Sequence, residues 1–170
     1  SSRAGYTLFR YQVGFPLIKT TEEMFYPLRY ICTKNEYNSF LLSSDLKKSV
    51  DKFWINKTGS KERGRELIKK YYNRVQTANQ YFTRYIEGWK TDRGMISLIF
   101  GPPEVVNKSN DSETWIYGEE TNTLSLRFIF NKVSNPFTNN DYKLIRGPGY
   151  RTHWYRAVDA WRSGRVYWIN

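Results

Sequence analysis

Between residues 60 and 86, Leu67, Ile68, Tyr71, Tyr72, Val75, Ala78, Phe82, Tyr85 and Ile86 recur at three- and four-residue intervals. That spacing places them on one face of a single long helix, with Ser60 as its N-cap. Gly88 falls just past the last periodic residue, where a left-handed C-cap suits glycine. Upstream, Leu46, Val50, Phe53 and Trp54 form a second apolar stripe, capped by Ser44 or Asp45. The short turn Thr58-Gly59-Ser60 between the two stripes makes the helices pack antiparallel or cross steeply. Residues 33–40 predict a shorter helix, in which Thr33 and Glu36 have the spacing of a capping box. Thr20-Thr21-Glu22-Glu23 offers another helix start. Pro27 argues against a long helix there, so residues 16–32 read as a partly extended segment laid over the core. Residues 7–13 alternate and read as a strand.

Beyond Gly88 the pattern changes. Met95-Ile96-Ser97-Leu98-Ile99-Phe100 is an almost continuous apolar run and reads as a buried strand, entered through a bend at Gly94 and ended by Gly101. Pro103 can start a single helical turn, with Glu104 suited to its N-terminus. Residues 107–112 are polar and are expected to form a mobile loop. Residues 113–117 predict a strand and residues 119–123 a hairpin turn. Leu124, Leu126, Phe128 and Phe130 then alternate with polar neighbours in a strand with one buried face. Residues 142–146 predict a last strand. After Gly147-Pro148-Gly149, Trp154, Val158 and Trp161 return to helical spacing, with Gly164 as the stop. The sum is an α+β fold: N-terminal helices, one of them long, packed on a short antiparallel β-meander, with a C-terminal helix. Residues 1–15 are expected as an extended lead-in, such as the end of a preceding domain, and residues 16–170 as one domain.

The two halves meet at Gly88-Trp89-Lys90-Thr91-Asp92-Arg93-Gly94. In a structural reading Trp89 plugs the core, Asp92 caps a turn, and Arg93 pairs with Asp92 or with a carboxylate across the turn. In a functional reading Trp89, Asp92 and Arg93 line a cleft beside Glu104, where ring, acid and base hold a sugar or peptide. The structural reading is favoured, because a helix-to-strand corner needs glycine, an aromatic plug and a cap in any case.

The same residues carry a resemblance. Gly88-Trp89-Lys90-Thr91-Asp92 resembles the signature of the GWxTD-domain proteins of bacteria, best represented among Bacteroidota. The likeness continues through Arg93-Gly94 and Gly101-Pro102-Pro103-Glu104. It extends to Pro27-Leu28-Arg29-Tyr30-Ile31, Tyr71-Tyr72-Asn73-Arg74-Val75 and residues 157–164. The resemblance implies an exported protein, periplasmic or associated with the outer membrane, with a lipid anchor allowed upstream of residue 1. It implies no established reaction.

Composition narrows the partners. The net charge is +11 and the pI about 9.7, a field that favours anionic partners: an acidic protein, an anionic glycan or lipopolysaccharide. Aromatic residues make up 18% of the chain, enough for a ring-rich core and a sticky face besides. Nucleic acid is not expected, because most helix tyrosines fall on the apolar face, no recognised module is present, and the resemblance implies export. No apolar run approaches the ~20 residues needed to span a bilayer. The single cysteine, Cys32, excludes an intrachain disulfide and reads as a small buried hydrophobe. One His and one Cys do not make a metal site, and His153 is far from Cys32 in sequence. Acid pairs drawn from Asp92, Glu104, Glu113 and Asp159 are no more than background. No catalytic residue, metal or cofactor is therefore expected.

The expected function is a non-enzymatic accessory or scaffold domain of a bacterial envelope complex. It would bind another envelope protein through Lys69, Lys70, Arg74, Arg84, Trp154, Trp161, Arg162 and Trp168. The alternatives are a glycan- or peptidoglycan-binding module and a hydrolase centred on the corner.

Overall fold

Every N-terminal helix starts at a side chain that accepts a backbone N–H. In this computed structural model, which describes residues 7–167, Thr20 caps α1 (Thr21–Phe25) and Thr33 caps α2 (Lys34–Leu41). Both are complete capping boxes, with Glu23 and Glu36 returning the bond. Asp45 caps α3 (Leu46–Thr58), and Ser60 caps α4 (Lys61–Phe82). Between α3 and α4 the chain turns at Gly59 with φ 67°, where only glycine is unstrained.

The two apolar stripes meet as expected. Val50, Phe53 and Trp54 of α3 are buried, as are Leu67, Tyr71, Tyr72 and Val75 of α4. Trp54 stands edge-on to Tyr71 at 5.2 Å and donates its indole N–H to the Tyr72 hydroxyl at 3.2 Å. The Tyr71 and Tyr72 hydroxyls donate to the carbonyls of Pro27 and Met24 at 2.7 and 2.9 Å. These two bonds tie the segment before α2 onto α4. That segment is not extended: α1 runs into a 3-10 turn at Tyr26–Tyr30, because Pro27 falls in its first turn, where a missing N–H costs nothing.

The run expected as a buried strand is a helix, α5 (Asp92–Phe100). Arg93 through Phe100 are all buried, so no polar face records a helical period. What makes it a helix is its start. Thr91 is extended (φ −77°, ψ 160°) and its hydroxyl accepts the Gly94 N–H, a complete N-cap. The long helix also stops earlier than its periodicity suggested. Thr83 turns extended after Phe82, and its hydroxyl donates to the Asn79 carbonyl while accepting the Gly88 N–H.

The sheet is an antiparallel meander in the order β1-β2-β3-β4: β1 (Val105–Lys108), β2 (Ser112–Tyr117), β3 (Leu126–Lys132) and β4 (Tyr142–Leu144). β1 takes the place of the expected helical turn and polar loop. It is an edge strand, mostly exposed, and therefore carries no alternation to read. Trp115 faces Phe128, Tyr117 faces Leu126, and Phe130 faces Leu144, so these rings share the face packed on the helices. Phe100 of α5 meets Phe128 at 4.9 Å.

The C-terminal helix α6 (Tyr150–Arg162) closes the core with Ala157 and Trp161, whose indole N–H donates to the Ile99 carbonyl at 2.9 Å. Residues 7–12 form no strand. They run irregularly along the end of α4, with Phe9 against Tyr85 and Phe137 and the Tyr11 hydroxyl donating to the Arg84 carbonyl. Asn79 donates to the Pro16 carbonyl at 3.3 Å, and the Ile18 N–H donates to Gln76 at 2.9 Å.

Candidate functional site

The corner between α4 and α5 is assembled from backbone contacts that leave no room for side chains. A Cβ on Gly88 would lie 1.8 Å from the Ala78 carbonyl oxygen, and one on Gly94 would lie 1.8 Å from the Gly88 carbonyl oxygen. Neither glycine has positive φ. They are needed for close approach rather than for a left-handed turn, so Gly88 is not the expected cap and Gly94 is not a bend. The Thr91 hydroxyl bridges the pair, donating to the Gly88 carbonyl at 2.8 Å and accepting the Gly94 N–H at 3.0 Å.

Trp89 is 5% exposed. Its N–H donates to the buried Asn79 side chain at 3.3 Å, and its carbonyl accepts from the Tyr30 hydroxyl at 3.0 Å. Tyr30 also packs edge-on against the indole. Burial is the main cause that pushes the Tyr30 phenol up to about 12. Asp92 does not cap the turn, because Thr91 does. The Asp92 carboxylate instead accepts the Leu144 N–H of β4 at 2.9 Å, with Arg146 3.6 Å from its other oxygen.

Arg93 does not pair with Asp92. It lies buried between the rings of Phe82 and Tyr142 and reaches Glu113 of β2 at 3.1 Å. It also donates to the Asn140 carbonyl at 2.8 Å and to the Asn140 side-chain oxygen. Glu113 accepts from the Trp115 indole at 3.1 Å on its other oxygen. Burial lowers the Arg93 pKa, and Glu113 opposes that shift.

Asp92, Arg93 and Glu104 are not brought together. Glu104 accepts the Gly118 N–H at 3.1 Å beside β1, whereas Asp92 is bonded to β4. These are opposite edges of the sheet, three strand spacings or about 14 Å apart. Gly101 ends α5 at φ 95°, with the Arg74 guanidinium 2.6 Å from where a Cβ would stand. Pro103 is half-buried after it and starts no helix.

A comparison with family models decides the lineage: the GWxTD domain matches residues 1–163. The chain belongs to the GWxTD-domain family. No curated protein and no solved structure matches it. The GWxTD letters of this chain are therefore the corner just described.

Of the basic and aromatic residues expected on an interaction surface, Lys69 and Lys70 are exposed on α4. Trp154 is half-buried, stacked on Tyr150 at 5.9 Å. Four others are not free surface: Trp161 is fully buried, and the half-buried Arg74, Arg84 and Arg162 are engaged within the fold. Arg74 turns inward to donate to the carbonyls of Leu98 and Ile99, both at 3.1 Å. Arg84 closes a buried ion pair with Asp141. Arg162 reaches across to Glu36 and to the Ile31 carbonyl. A long side chain on the flank of an apolar stripe can reach inward as readily as outward, so wheel position alone misplaces it. Trp168 lies outside the described residues.

The interior positions of three polar residues, Asn79, Glu113 and Asp141, were not read from the sequence. Asn79 sits in phase with the buried face of α4, and Glu113 is in phase with Trp115 and Tyr117. A polar residue in an apolar phase was the available signal for both. Asp141 carried no such mark.

Cys32 is half-buried among apolar neighbours, and burial is the main cause pushing its thiol up to about 12, away from nucleophilic use. Among the described residues no group of three or more His, Cys, Asp or Glu gathers, and no helix is long and apolar enough to cross a membrane.

Proposed function

We propose that this protein is a non-enzymatic accessory domain of a bacterial envelope complex that docks on an acidic partner protein. The observation that carries this reading is the commitment of the corner to the fold. Thr91, Asp92 and Arg93 each spend their polar atoms on backbone or on a buried ion pair. Placement in the envelope rests on the family resemblance.

The aromatic excess supplies a contact surface at the C-terminal end of α4. Phe9 packs on Tyr85 and Phe137, yet all three remain 39–56% exposed, and Tyr81 nearby on the helix is 61% exposed. Rigid rings of this kind are common anchors at protein interfaces. The net charge of +11 favours an acidic partner.

The test is co-purification from envelope extract with the wild-type chain and with a Phe9→Ser/Phe137→Ser double variant. The expected result is a defined partner, released by rising salt and lost from the double variant but kept by Val106→Ser on the distant sheet edge. Equal recovery with all three chains, or a chain that captures nothing, would overturn the reading.

A further inference from the structure

Among the described residues four arginines reach groups inside the fold, and three of them close on a carboxylate: Arg93 on Glu113, Arg84 on Asp141 and Arg162 on Glu36. Arg74 does not. Its Nη1 donates to the last carbonyls of α5, and its guanidinium lies over the Trp161 ring at 5.2 Å. No acid among the described residues pairs with it. Among the described residues its Nε and Nη2 have no hydrogen-bond partner.

Those donors belong to a residue lining a hollow of about 480 Å³ between α4 and the Gly101–Glu104 loop. Half of the lining is rings, Phe100, Pro102, Pro103, Tyr117 and Tyr167, and the α4 side adds the polar Lys70, Asn73 and Thr77. Glu104 also lines the hollow, and its carboxylate accepts the Gly118 N–H at 3.1 Å. A pocket of a few hundred Å³ that sets apolar rings beside a few convergent polar groups, here Lys70, Arg74 and Glu104, has the general form of a small-ligand site. A guanidinium edge with Nε–H and Nη2–H side by side matches the two oxygens of a carboxylate.

We propose that this hollow is a binding site for a small ring-bearing carboxylate, anchored on the free edge of Arg74 and sandwiched by the surrounding rings. The proposal is independent of the docking surface at Phe9 and Phe137. Burial without an acid pushes the Arg74 pKa down to about 10, so the group is still charged at neutral pH and is the one a bound anion would relieve. Gly101 completes the site: any side chain there would displace the guanidinium.

The test is a titration of the intact chain, followed by NMR at the Arg74 Nε–H, with benzoate and glucuronate as probes. Benzamide, glucose and inorganic phosphate serve as comparisons. Benzoate or glucuronate is expected to bind with a dissociation constant on the order of 1 mM or tighter and to shift the Nε–H resonance. The neutral analogues should do so at least ~10-fold more weakly. Arg74→Lys should weaken binding by about tenfold or more, with folding checked by circular dichroism. Glu104→Gln, an exposed change that spares the fold, should tighten it about two- to fivefold by removing a like charge.

Absence of carboxylate binding would overturn the proposal. So would equal binding of benzamide and benzoate, preference for phosphate over both carboxylates, or indifference to Glu104→Gln.

Discussion

Gly94→Ala separates two opposite expectations. Gly94 is inside α5, and replacing a helical glycine by alanine ordinarily stabilises by about 0.5–1 kcal/mol. The structure reverses the sign. The new Cβ would lie 1.8 Å from the Gly88 carbonyl oxygen, 2.7 Å from its carbon and 3.0 Å from the Trp89 Cα. All three are backbone or backbone-attached atoms that no rotamer change can move. Relief requires α5 to retreat by more than about 1 Å, and overpacking of a tight core typically costs ~1–3 kcal/mol or more. The retreat also stretches the two Thr91 bonds that join Gly88 to Gly94, each worth about 1 kcal/mol. After subtracting the propensity gain, the net loss is about 3 kcal/mol.

Urea unfolding at constant m-value measures it, with Gly147→Ala as the comparison. Gly147 has nothing within 4 Å of a built Cβ and should change stability by less than ~0.5 kcal/mol. A Gly94→Ala midpoint within error of wild type would refute the close-approach argument for the whole corner.

Other outcomes follow from the same contacts. Thr91→Val keeps the shape but strips the Gly94 N–H of its acceptor, so it should cost about 1–3 kcal/mol, against under ~1 for Thr91→Ser, read by the same unfolding assay. Arg93→Met leaves the Glu113 carboxylate, whose side chain is 6% exposed, with only the Trp115 indole and the exposed Lys108 at 3.6 Å, and should cost about 3 kcal/mol. Adding Glu113→Gln should recover part of that loss in a double-mutant cycle. Burial alone would raise the Glu36 carboxyl, but the Arg162 hydrogen bond, the Thr33 N–H and the charges of Arg162 and Lys57 outweigh it and hold it at about 2. Its folded pKa is therefore below its unfolded value of about 4.3, so its contribution is full above that value and lost as pH falls toward 2. Glu36→Gln should flatten the acid limb of the stability profile between about pH 5 and pH 2, measured by thermal melts across pH.

Local chemistry was legible, and long-range closure was not. Thr33 with Glu36, Asp45, Ser60, Gly59 and Gly164 announced their ends of helices because capping is a contact within a few residues. The stripes at Val50-Phe53-Trp54 and Tyr71-Tyr72-Val75 were readable because one face is wet. α5 was misread for the converse reason: from Arg93 to Phe100 nothing is wet, and a continuous apolar run has no period. Its true signal was Thr91 as N-cap, masked by a Gly94 that resembled a breaker. β1 was missed because an exposed edge strand resembles a polar loop. Of the site, the structural role of Trp89 could be read, whereas the partners of Asp92 and Arg93, namely Leu144, Glu113 and Asn140, lie 20 to 52 positions away.

The family signature itself can be taken letter by letter. Gly88 permits backbone contact with α4, and Trp89 fills the space beside Tyr30. Thr91 bridges Gly88 to Gly94, and Asp92 fastens α5 to the last strand. The one position the signature leaves unspecified is Lys90, and it alone is exposed, its ammonium paired with Glu87 at 2.7 Å on the surface. A signature with three fixed letters buried, the fourth half-buried and bonded to β4, and its free letter facing water has the pattern of a packing constraint. Catalytic groups, by contrast, must reach a substrate. This pattern supports a family bound by a shared joint between helix and sheet, with binding properties that are free to differ on the surfaces around it.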